Sequence, residues 1–125
     1  MEIQNSENPH FSGIGTDIVN VKRFREKIYN KNKSFYKKIF LNEEIEYCLN
    51  FKDPYPHFAG KFAIKESVIK SLVEKISFKH ILTFNINSKP EIKLLLYKIK
   101  KYDFLVSMSH EQDYAIATVL VKKII

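Results

Sequence analysis

The stretch FAGKFAIKES at positions 58–67 places small, cationic and acidic side chains close together within one predicted helix. At about 100° per residue, we expect a helix over 57–73 with two distinct stripes. The first is an apolar arc of Phe58, Phe62, Ile69, Leu72 and Val73. Beside it runs a stripe of Ala59, Ala63, Glu66 and Lys70. The two alanines leave room for a ligand against the helix, although Glu66 and Lys70 also have the spacing of a surface ion pair.

Lys65 falls inside the predicted apolar arc, where an unpaired charge would be costly. The sequence leaves two possibilities for it. Either the side chain extends outward so that its ammonium reaches water, or the ammonium meets an anion.

A second informative segment lies near the start of the chain, where residues 13–17 read GIGTD. The alternation of residues predicts a strand over 12–19 that carries Asp17 near its end. The chain contains only three glycines, two in this segment and the third at Gly60, so we expect each where a side chain would not fit. One or two carboxylates that leave space for substrate phosphates are typical of Mg²⁺ sites. Asp17 and Glu66 therefore predict a metal-assisted enzyme acting on a phosphorylated substrate.

The remaining segments predict helices in the first half of the chain and mostly antiparallel strands in the second, an α+β fold. Val21, Phe24 and Ile28 indicate a helix over 20–30, and Asn42 is a candidate cap for a helix that runs to Asn50. Further predictions are a short helical segment at 35–40, a loop at 53–56, strands at 76–86, 92–96, 104–108 and 114–121, and turns at 87–90 and 109–113. Residues 98–102 fit either a helix or a loop.

Length and composition indicate a single globular domain of 125 residues, with residues 1–11 as a flexible leader and 12–125 as the domain. The net charge of +7 favours an acidic partner, although many of the lysines also fit a merely solvated surface. Cys48 is the single cysteine, which excludes an internal disulfide and a cysteine-rich zinc site, and its apolar neighbours predict a buried thiol. Without a secretory signal or an apolar run long enough to cross a bilayer, we expect a cytoplasmic protein and no membrane partner.

Several other site types are disfavoured by the sequence. The segment GIG lacks the third glycine of a dinucleotide fingerprint, no phosphate-cradling P-loop is present, and the four histidines lack zinc-ligand spacing. Ser109, His110 and Glu111 are adjacent, which is typical of a polar turn and not of a catalytic triad.

Four segments in order, GIGTDIV at 13–19, AGKFAIKES at 59–67, NSKP at 87–90 and SMSHE at 107–111, resemble the holo-[acyl-carrier-protein] synthase family. This family is the small trimeric branch of the 4′-phosphopantetheinyl transferases, and the resemblance covers roughly residues 12–122. It implies a transferase-like α+β fold and transfer of the 4′-phosphopantetheine arm of coenzyme A to a serine of apo-acyl carrier protein. Adenosine 3′,5′-bisphosphate would be the second product, and the activity would support fatty acid biosynthesis.

The resemblance also implies roles for individual residues. It matches Asp17 and Glu66 to the Mg²⁺ ligands and adds Lys70 as the third catalytic residue. The residues predicted to bind coenzyme A are Lys61, Lys65, Lys70, Ser109 and His110. The residues predicted to bind the acidic carrier lie on the basic helix and are Lys22, Arg23 and Lys27. A homotrimer with sites between subunits follows from the resemblance alone.

The chain departs from the family pattern at four places. Lys61 replaces the usual arginine and loses its bidentate fork for phosphate. The usual glycines after the central helix are absent from residues 71–75. Leu41 stands at a common threonine cap, and Ser88 replaces glycine in the Asn-Gly-Lys-Pro turn. None of these changes removes a predicted metal ligand.

Two alternatives remain open at this level. One is a small basic RNA-binding domain, for which exposed aromatic residues would have to alternate with basic ones. The residues that fit this pattern are Phe84, Tyr97 and Tyr102 with Lys79, Lys98 and Lys100. The other is a non-catalytic binder of coenzyme A or of a carrier protein, against which the two intact carboxylates argue. With the transferase favoured, no nucleic-acid partner is expected.

Overall fold

The structure, a computed structural model, describes residues 11–96 and 102–124 and has the expected α+β architecture. Its helices are α1 (Lys22–Arg25), α2 (Lys33–Ile39), α3 (Asn42–Leu49) and α4 (Tyr55–Ser71). Its strands are β1 (Phe11–Asn20), β2 (Ile81–Ile86), β3 (Lys89–Leu94), β4 (Tyr102–His110) and β5 (Tyr114–Lys123). Short 3-10 turns cover Tyr29–Lys31 and Phe78–His80.

The strands form two antiparallel sheets. Three of them pair in the order β1-β5-β4, and β2 pairs with β3 as a separate hairpin. In the larger sheet Asp17 lies opposite Ala117, and His110 lies opposite Ala115. Because side chains alternate along a strand, this register decides which residues face α4 and which face away from it.

The core lies on both sides of α4. Toward the sheet, the small or branched residues of β5 (Ala115, Ala117, Val119 and Val121) are buried against the helix. On its other side, Phe58 packs against the rings of Tyr36 and Phe40 at centroid distances of 4.6 Å and 5.1 Å. The Tyr36 hydroxyl donates to the backbone carbonyls of Phe24 and Lys27, which ties α2 to the segment around α1. Buried aromatic rings, among them Phe24, Phe40, Phe58 and Phe62, thus supply much of the bulk between the helices.

Each glycine lies where a side chain would collide with a neighbour, as the sequence predicts. A Cβ atom on Gly13 or Gly15 would overlap the carbonyl oxygen of Ser71 or Ser67. A Cβ atom on Gly60 would lie 2.9 Å from the Met108 sulfur. β1 therefore touches the backbone of α4 directly.

The predicted helix over 20–30 is wrong in most of its length. Asn20 is still part of β1, α1 has only four residues, and a 3-10 turn follows at Tyr29–Lys31. The extended ψ of 129° at Ile28 breaks the helix, and the Ile28 side chain is exposed, so it does not share a buried face with Phe24.

Other boundaries also differ from the predictions. The prolines of the expected loop start α4, with Pro54 as its cap and Pro56 in its first turn, where a missing N–H costs nothing. The helix ends at Ser71, so Leu72 lies beyond it in extended backbone and the exposed Val73 is no part of an apolar arc. The strand predicted over 76–86 begins only at Ile81. Asn42 is the first residue of α3 and not its cap, and the Glu44 carboxylate instead accepts a bond from the Leu41 N–H.

Strand β4 runs to His110, which shortens the predicted loop at 109–113 to its last three residues. β1 begins at Phe11, the last position of the predicted leader, while residues 1–10 lie outside the described part. Of the uncertain segment 98–102, only Tyr102 is described, and it starts β4.

Cys48 is fully buried, as predicted, and burial raises the pKa of its thiol to about 12. None of the described helices is both long and apolar enough to span a bilayer.

The hairpin between β2 and β3 turns through two residues in the left-handed region, Asn87 at φ 51° and Ser88 at φ 67°. Two-residue hairpins favour this conformation, and glycine adopts it without the steric cost that other residues incur. Ser88, which replaces the glycine of the related turn, therefore carries backbone strain.

We expect Ser88→Gly to raise the free energy of unfolding by about 0.5–1 kcal/mol, because it relieves this strain. Urea unfolding followed by circular dichroism measures the change. Ser88→Ala serves as the matched control and should give no gain, since alanine keeps the Cβ atom. Equal stabilisation by both variants would contradict the explanation.

Candidate functional site

Asp17 and Lys70 meet where β1 crosses α4. The Lys70 ammonium donates to Asp17 Oδ1 at 2.9 Å and to the Thr16 carbonyl at 3.0 Å. Lys70 is half-exposed and the Asp17 carboxylate is largely covered, so the pair lies at the edge of the protein and remains open to a ligand. The alternative in which Lys70 pairs with Glu66 along the helix is not what the structure shows.

Glu66 lies one turn before Lys70, and residues four apart on a helix are neighbours on its surface. The carboxylate is half-buried and receives no side-chain hydrogen bond from the described residues. Because Lys70 bonds to Asp17 and lies one turn after Glu66, Asp17 lies beside the helix face that carries Glu66.

The two carboxylates suit Mg²⁺ better than a metal that needs a full protein cage. Within residues 11–96 and 102–124, no cluster of three or more histidine, cysteine or acidic side chains could hold a metal. Mg²⁺ commonly takes one or two carboxylates and fills its remaining positions with water and substrate phosphates. Asp17 and Glu66 are the candidates for this donor set.

Lys65 meets an anion, but that anion belongs to the protein. Its ammonium lies 2.8 Å from Glu44 Oε1 and donates to the carbonyls of Phe78 and Ile81 at 2.9 Å and 2.6 Å. Both charged side chains are fully buried. Burial lowers the pKa of Lys65, and the Glu44 carboxylate opposes that shift. The predicted contact of Lys65 with coenzyme A is therefore corrected: protein acceptors take its ammonium, which has no exposed surface.

Lys61 belongs to the same buried network at its outer end. Its ammonium donates to both the carbonyl and the hydroxyl oxygen of Thr83 at 3.0 Å. The Thr83 hydroxyl in turn donates to Glu44 at 2.6 Å. Burial lowers the pKa of Lys61, and the nearby Cys48 and Glu44 oppose that shift. Two lysines thus surround one glutamate, and the network carries one positive charge in excess.

An open cavity of about 380 Å³ borders Lys61. Its wall is aromatic and contains Tyr47, Phe51, His57, Phe84 and His110. The Lys61 ammonium lies 4.7 Å from the centre of the Tyr47 ring. A cation beside stacked rings in a concave site suits a ligand that has both an anionic group and a flat ring.

Ser109 and His110 are adjacent in β4 but lie on opposite faces of the sheet. His110 borders the cavity with Lys61, whereas Ser109 does not. Both border a second cavity of about 510 Å³ at the end of the strand, together with Ile18 and the loop 111–113. The second cavity is therefore the place where one ligand reaches both residues.

The predicted ligand-binding residues of α4 separate into two groups. Lys61 and Lys70 are nine residues apart, which places them about 180° apart around the helix. None of Asp17, Glu66 and Lys70 borders the cavity that contains Lys61 and His110. One copy of the chain therefore does not bring all predicted site residues to one place.

The predicted carrier-binding residues remain exposed around the short helix α1. Lys22 pairs weakly with Glu26 at 3.7 Å. The Arg23 guanidinium lies 5.0 Å from the centre of the Phe62 ring, and the Lys27 ammonium lies 5.2 Å from that of Phe35. Arg23 and Lys27 therefore lie over aromatic rings, while their charged groups remain exposed to solvent.

Of the residues proposed for RNA binding, the structure describes Phe84, Tyr102 and Lys79, and these three lie in different surroundings. Phe84 borders the aromatic cavity. The Tyr102 hydroxyl donates to both oxygens of the Glu74 carboxylate, and the negative charge of Glu74 would repel an RNA phosphate. Lys79 donates to the Lys37 carbonyl. Tyr97, Lys98 and Lys100 lie outside the described residues.

Sequence reasoning missed Glu44, Thr83 and His57. A signal for Glu44 existed, because Lys65 required an anion, and Glu44 precedes the apolar Ile45 and Cys48 on α3. Thr83 and His57 gave no such signal, since the contacts of Thr83 with Glu44 and of His57 with His110 join segments far apart in the chain.

Comparison with known proteins shows the family of this chain. Residues 13–119 match the family model described as the 4′-phosphopantetheinyl transferase superfamily. A holo-[acyl-carrier-protein] synthase of Thermodesulfovibrio yellowstonii is 39% identical over 113 residues, which cover 87% of this chain and 96% of that protein.

Two solved structures extend the similarity to the fold. The holo-[acyl-carrier-protein] synthase of Neisseria meningitidis superposes with a TM-score of 0.78 at 29% identity, covering 91% of this chain and 100% of that one. The Helicobacter pylori enzyme of the same name, solved in complex with coenzyme A, gives 0.74 at 29% identity and covers 86% and 98%.

Removing the ammonium of the buried pair should strongly destabilise the protein. Lys65→Met leaves the Glu44 carboxylate buried without its closest cation, and we expect a loss of about 3–5 kcal/mol in the free energy of unfolding. Lys70→Met on the same helix is the control and should cost less than about 1 kcal/mol, since that pair is half-exposed. Urea unfolding compares the two variants, and equal losses would contradict the assigned roles.

Proposed function

The chain belongs to the 4′-phosphopantetheinyl transferase superfamily, and we infer that it transfers the 4′-phosphopantetheine arm of coenzyme A to a serine of apo-acyl carrier protein. The products are holo-acyl carrier protein and adenosine 3′,5′-bisphosphate. The observation that carries this function is the Asp17–Lys70 contact beside Glu66, an arrangement of two carboxylates and one cation open to a phosphorylated ligand. We further propose that the reaction takes place in the cytoplasm and supports fatty acid biosynthesis.

We propose Asp17 and Glu66 as the residues that hold Mg²⁺. When bound, the ion would neutralise charge on the pyrophosphate of coenzyme A during the transfer. This role also explains why Glu66 accepts no protein donor among the described residues. In the absence of a substrate, the Lys70 ammonium balances the charge of Asp17, and its bond to the Thr16 carbonyl holds the lysine side chain against β1.

The transfer breaks a phosphoanhydride P–O bond in the pyrophosphate of coenzyme A and forms a phosphodiester bond to the serine. The carrier serine oxygen attacks the β-phosphate of coenzyme A and loses its proton, and the departing bisphosphate takes the electron pair of the broken P–O bond. Negative charge grows on the phosphoryl oxygens and on the leaving group. The Lys70 ammonium, half-exposed at the carboxylate edge, is placed to stabilise that charge.

The aromatic cavity is the proposed location of a second part of coenzyme A. Two of the three Lys61 donors are used by Thr83, which leaves one direction for a ligand. The excess positive charge of the Lys61–Glu44–Lys65 network favours a phosphate there. The aromatic wall offers stacking to a base, and His110 borders the same space.

A homotrimer with sites between subunits would unite the two groups of residues. The outer face of the larger sheet supports association, because it exposes apolar side chains where a monomer would normally present polar ones. These side chains include Ile14, Ile18, Leu105 and Ile116, which are 46–63% exposed. We propose that this face contacts other copies of the chain and that Lys61 and Lys70 serve one ligand from different subunits.

The basic surface around α1 is the proposed docking site for the carrier. Lys22, Arg23 and Lys27 form an exposed cationic group, and the chain carries a net charge of +7. Opposite charge on the carrier would accelerate encounter and orient the docking. We propose that Arg23 makes the main contact with the carrier, since its guanidinium lies over the Phe62 ring.

Intact mass of an apo-acyl carrier protein after incubation with this protein, coenzyme A and Mg²⁺ tests the activity. We expect a gain of one phosphopantetheine per carrier. Glu66→Gln should slow the transfer by at least about 100-fold, because it removes a metal ligand, and EDTA should abolish it.

Glu46→Gln is the matched control, since Glu46 is an exposed glutamate on α3 away from both ligand groups. It should leave the rate unchanged. No gain of mass with a folded sample and several carriers would refute the transferase. Binding of coenzyme A without transfer would then favour a non-catalytic binder.

Ile116→Glu should break the proposed association, because it places a charge within the exposed apolar face, on the middle strand of the sheet. Light scattering after size exclusion should show a trimer for the native chain and a lower mass for the variant. Ile86→Glu, equally exposed at the end of β2, is the control and should leave the trimer intact. A monomeric native chain would overturn the assembly.

A further inference from the structure

His57 lies between two other rings in the wall of the aromatic cavity. Its imidazole stacks on Phe51 at a centroid distance of 3.6 Å and an interplanar angle of 14°. Its other neighbour is His110, whose ring lies 4.8 Å away at 74° in an edge-to-face arrangement. Phe51 in turn contacts Tyr47 edge-to-face at 5.2 Å. The four rings form a continuous row along one wall of the cavity.

The space around the His110 ring is set by two residues of α4. Gly60 lies next to it, since a Cβ atom there would be in van der Waals contact with His110 Cδ2 at 3.6 Å. His57, one helical turn earlier, contacts the same ring from the N-terminal end of the helix. Two residues one turn apart on α4 therefore lie against the His110 ring.

The position of His57 favours a neutral ring. Burial lowers its pKa first, and His110 on β4 and Lys61 on α4 lower it further, whereas Asp53 in the preceding loop raises it. Tyr47 on α3 also faces the ring, at 6.3 Å. The flat imidazole stacks on Phe51, and a phenyl ring has the shape to take the same place.

We propose that His57 is a positioning residue, which fixes the His110 imidazole for its contact with coenzyme A through stacking on Phe51. This inference rests on the proposed function for the identity of the ligand. It assigns His57 no contact with the reacting atoms, and the part of its side chain that matters is the ring.

Two variants distinguish the contribution of the His57 ring from that of its nitrogens. His57→Ala removes the support, and we expect the KM for coenzyme A to rise about tenfold while kcat and the KM for the carrier change less than about twofold. His57→Phe keeps a flat ring and should restore the native KM. Thermal unfolding of both variants verifies that they are folded.

The side-chain NMR signal of His110 gives a readout that does not depend on activity. Its carbon–proton resonance, assigned by its loss in His110→Gln, should shift toward the free-histidine position in His57→Ala and remain near the native position in His57→Phe.

The outcomes distinguish this inference from the proposed function. Absence of transfer and of coenzyme A binding in the native protein would refute the function, and the NMR shift would still decide whether His57 positions His110. An active native enzyme with an unchanged KM and an unchanged His110 signal in His57→Ala would refute the inference alone. An equal rise of KM in both variants would also overturn it, because the nitrogens and not the ring would then be required.

Discussion

The direct backbone contact between β1 and α4 is the constraint on which the rest of this structure depends. Gly13 and Gly15 allow the strand to reach the carbonyl oxygens of Ser71 and Ser67, where any larger residue would push it away. Asp17 follows on the same face of the strand, and Lys70 lies between the two serines along the helix, so their pairing follows from the same approach. The carboxylate site is thus a product of main-chain packing, and its geometry does not rest on a flexible loop.

Lys61 and Lys65, four residues apart on α4, have different roles because they differ in burial. Lys65 is fully buried, and its ammonium pairs with Glu44 and donates to two backbone carbonyls. Lys61 belongs to the same network but borders the cavity and keeps one donor direction for a ligand. The inner pair holds α3 and the segment before β2 to α4, so that the outer lysine has a fixed position. Structural and ligand-binding charges here share one hydrogen-bonded network.

The sequence predicted the fold class, the central helix and the steric role of the glycines. These features follow from local periodicity, and from glycine as the residue with no side chain. It failed at the helix over 20–30, because Val21, Phe24 and Ile28 have helical spacing while tertiary contacts keep Asn20 in β1. It also assigned Lys65 to coenzyme A. Burial and the choice of Glu44 as partner depend on contacts between segments distant in sequence, which no local pattern contains.

Cys48, the single thiol of the chain, has a practical consequence. It is buried in the core, and the raised pKa keeps it protonated and therefore unreactive toward alkylating reagents at neutral pH. A cysteine introduced at an exposed position would then be the only site modified by a maleimide dye or spin label. The native chain is thus a ready background for site-specific distance measurements, with no need to replace its own cysteine first.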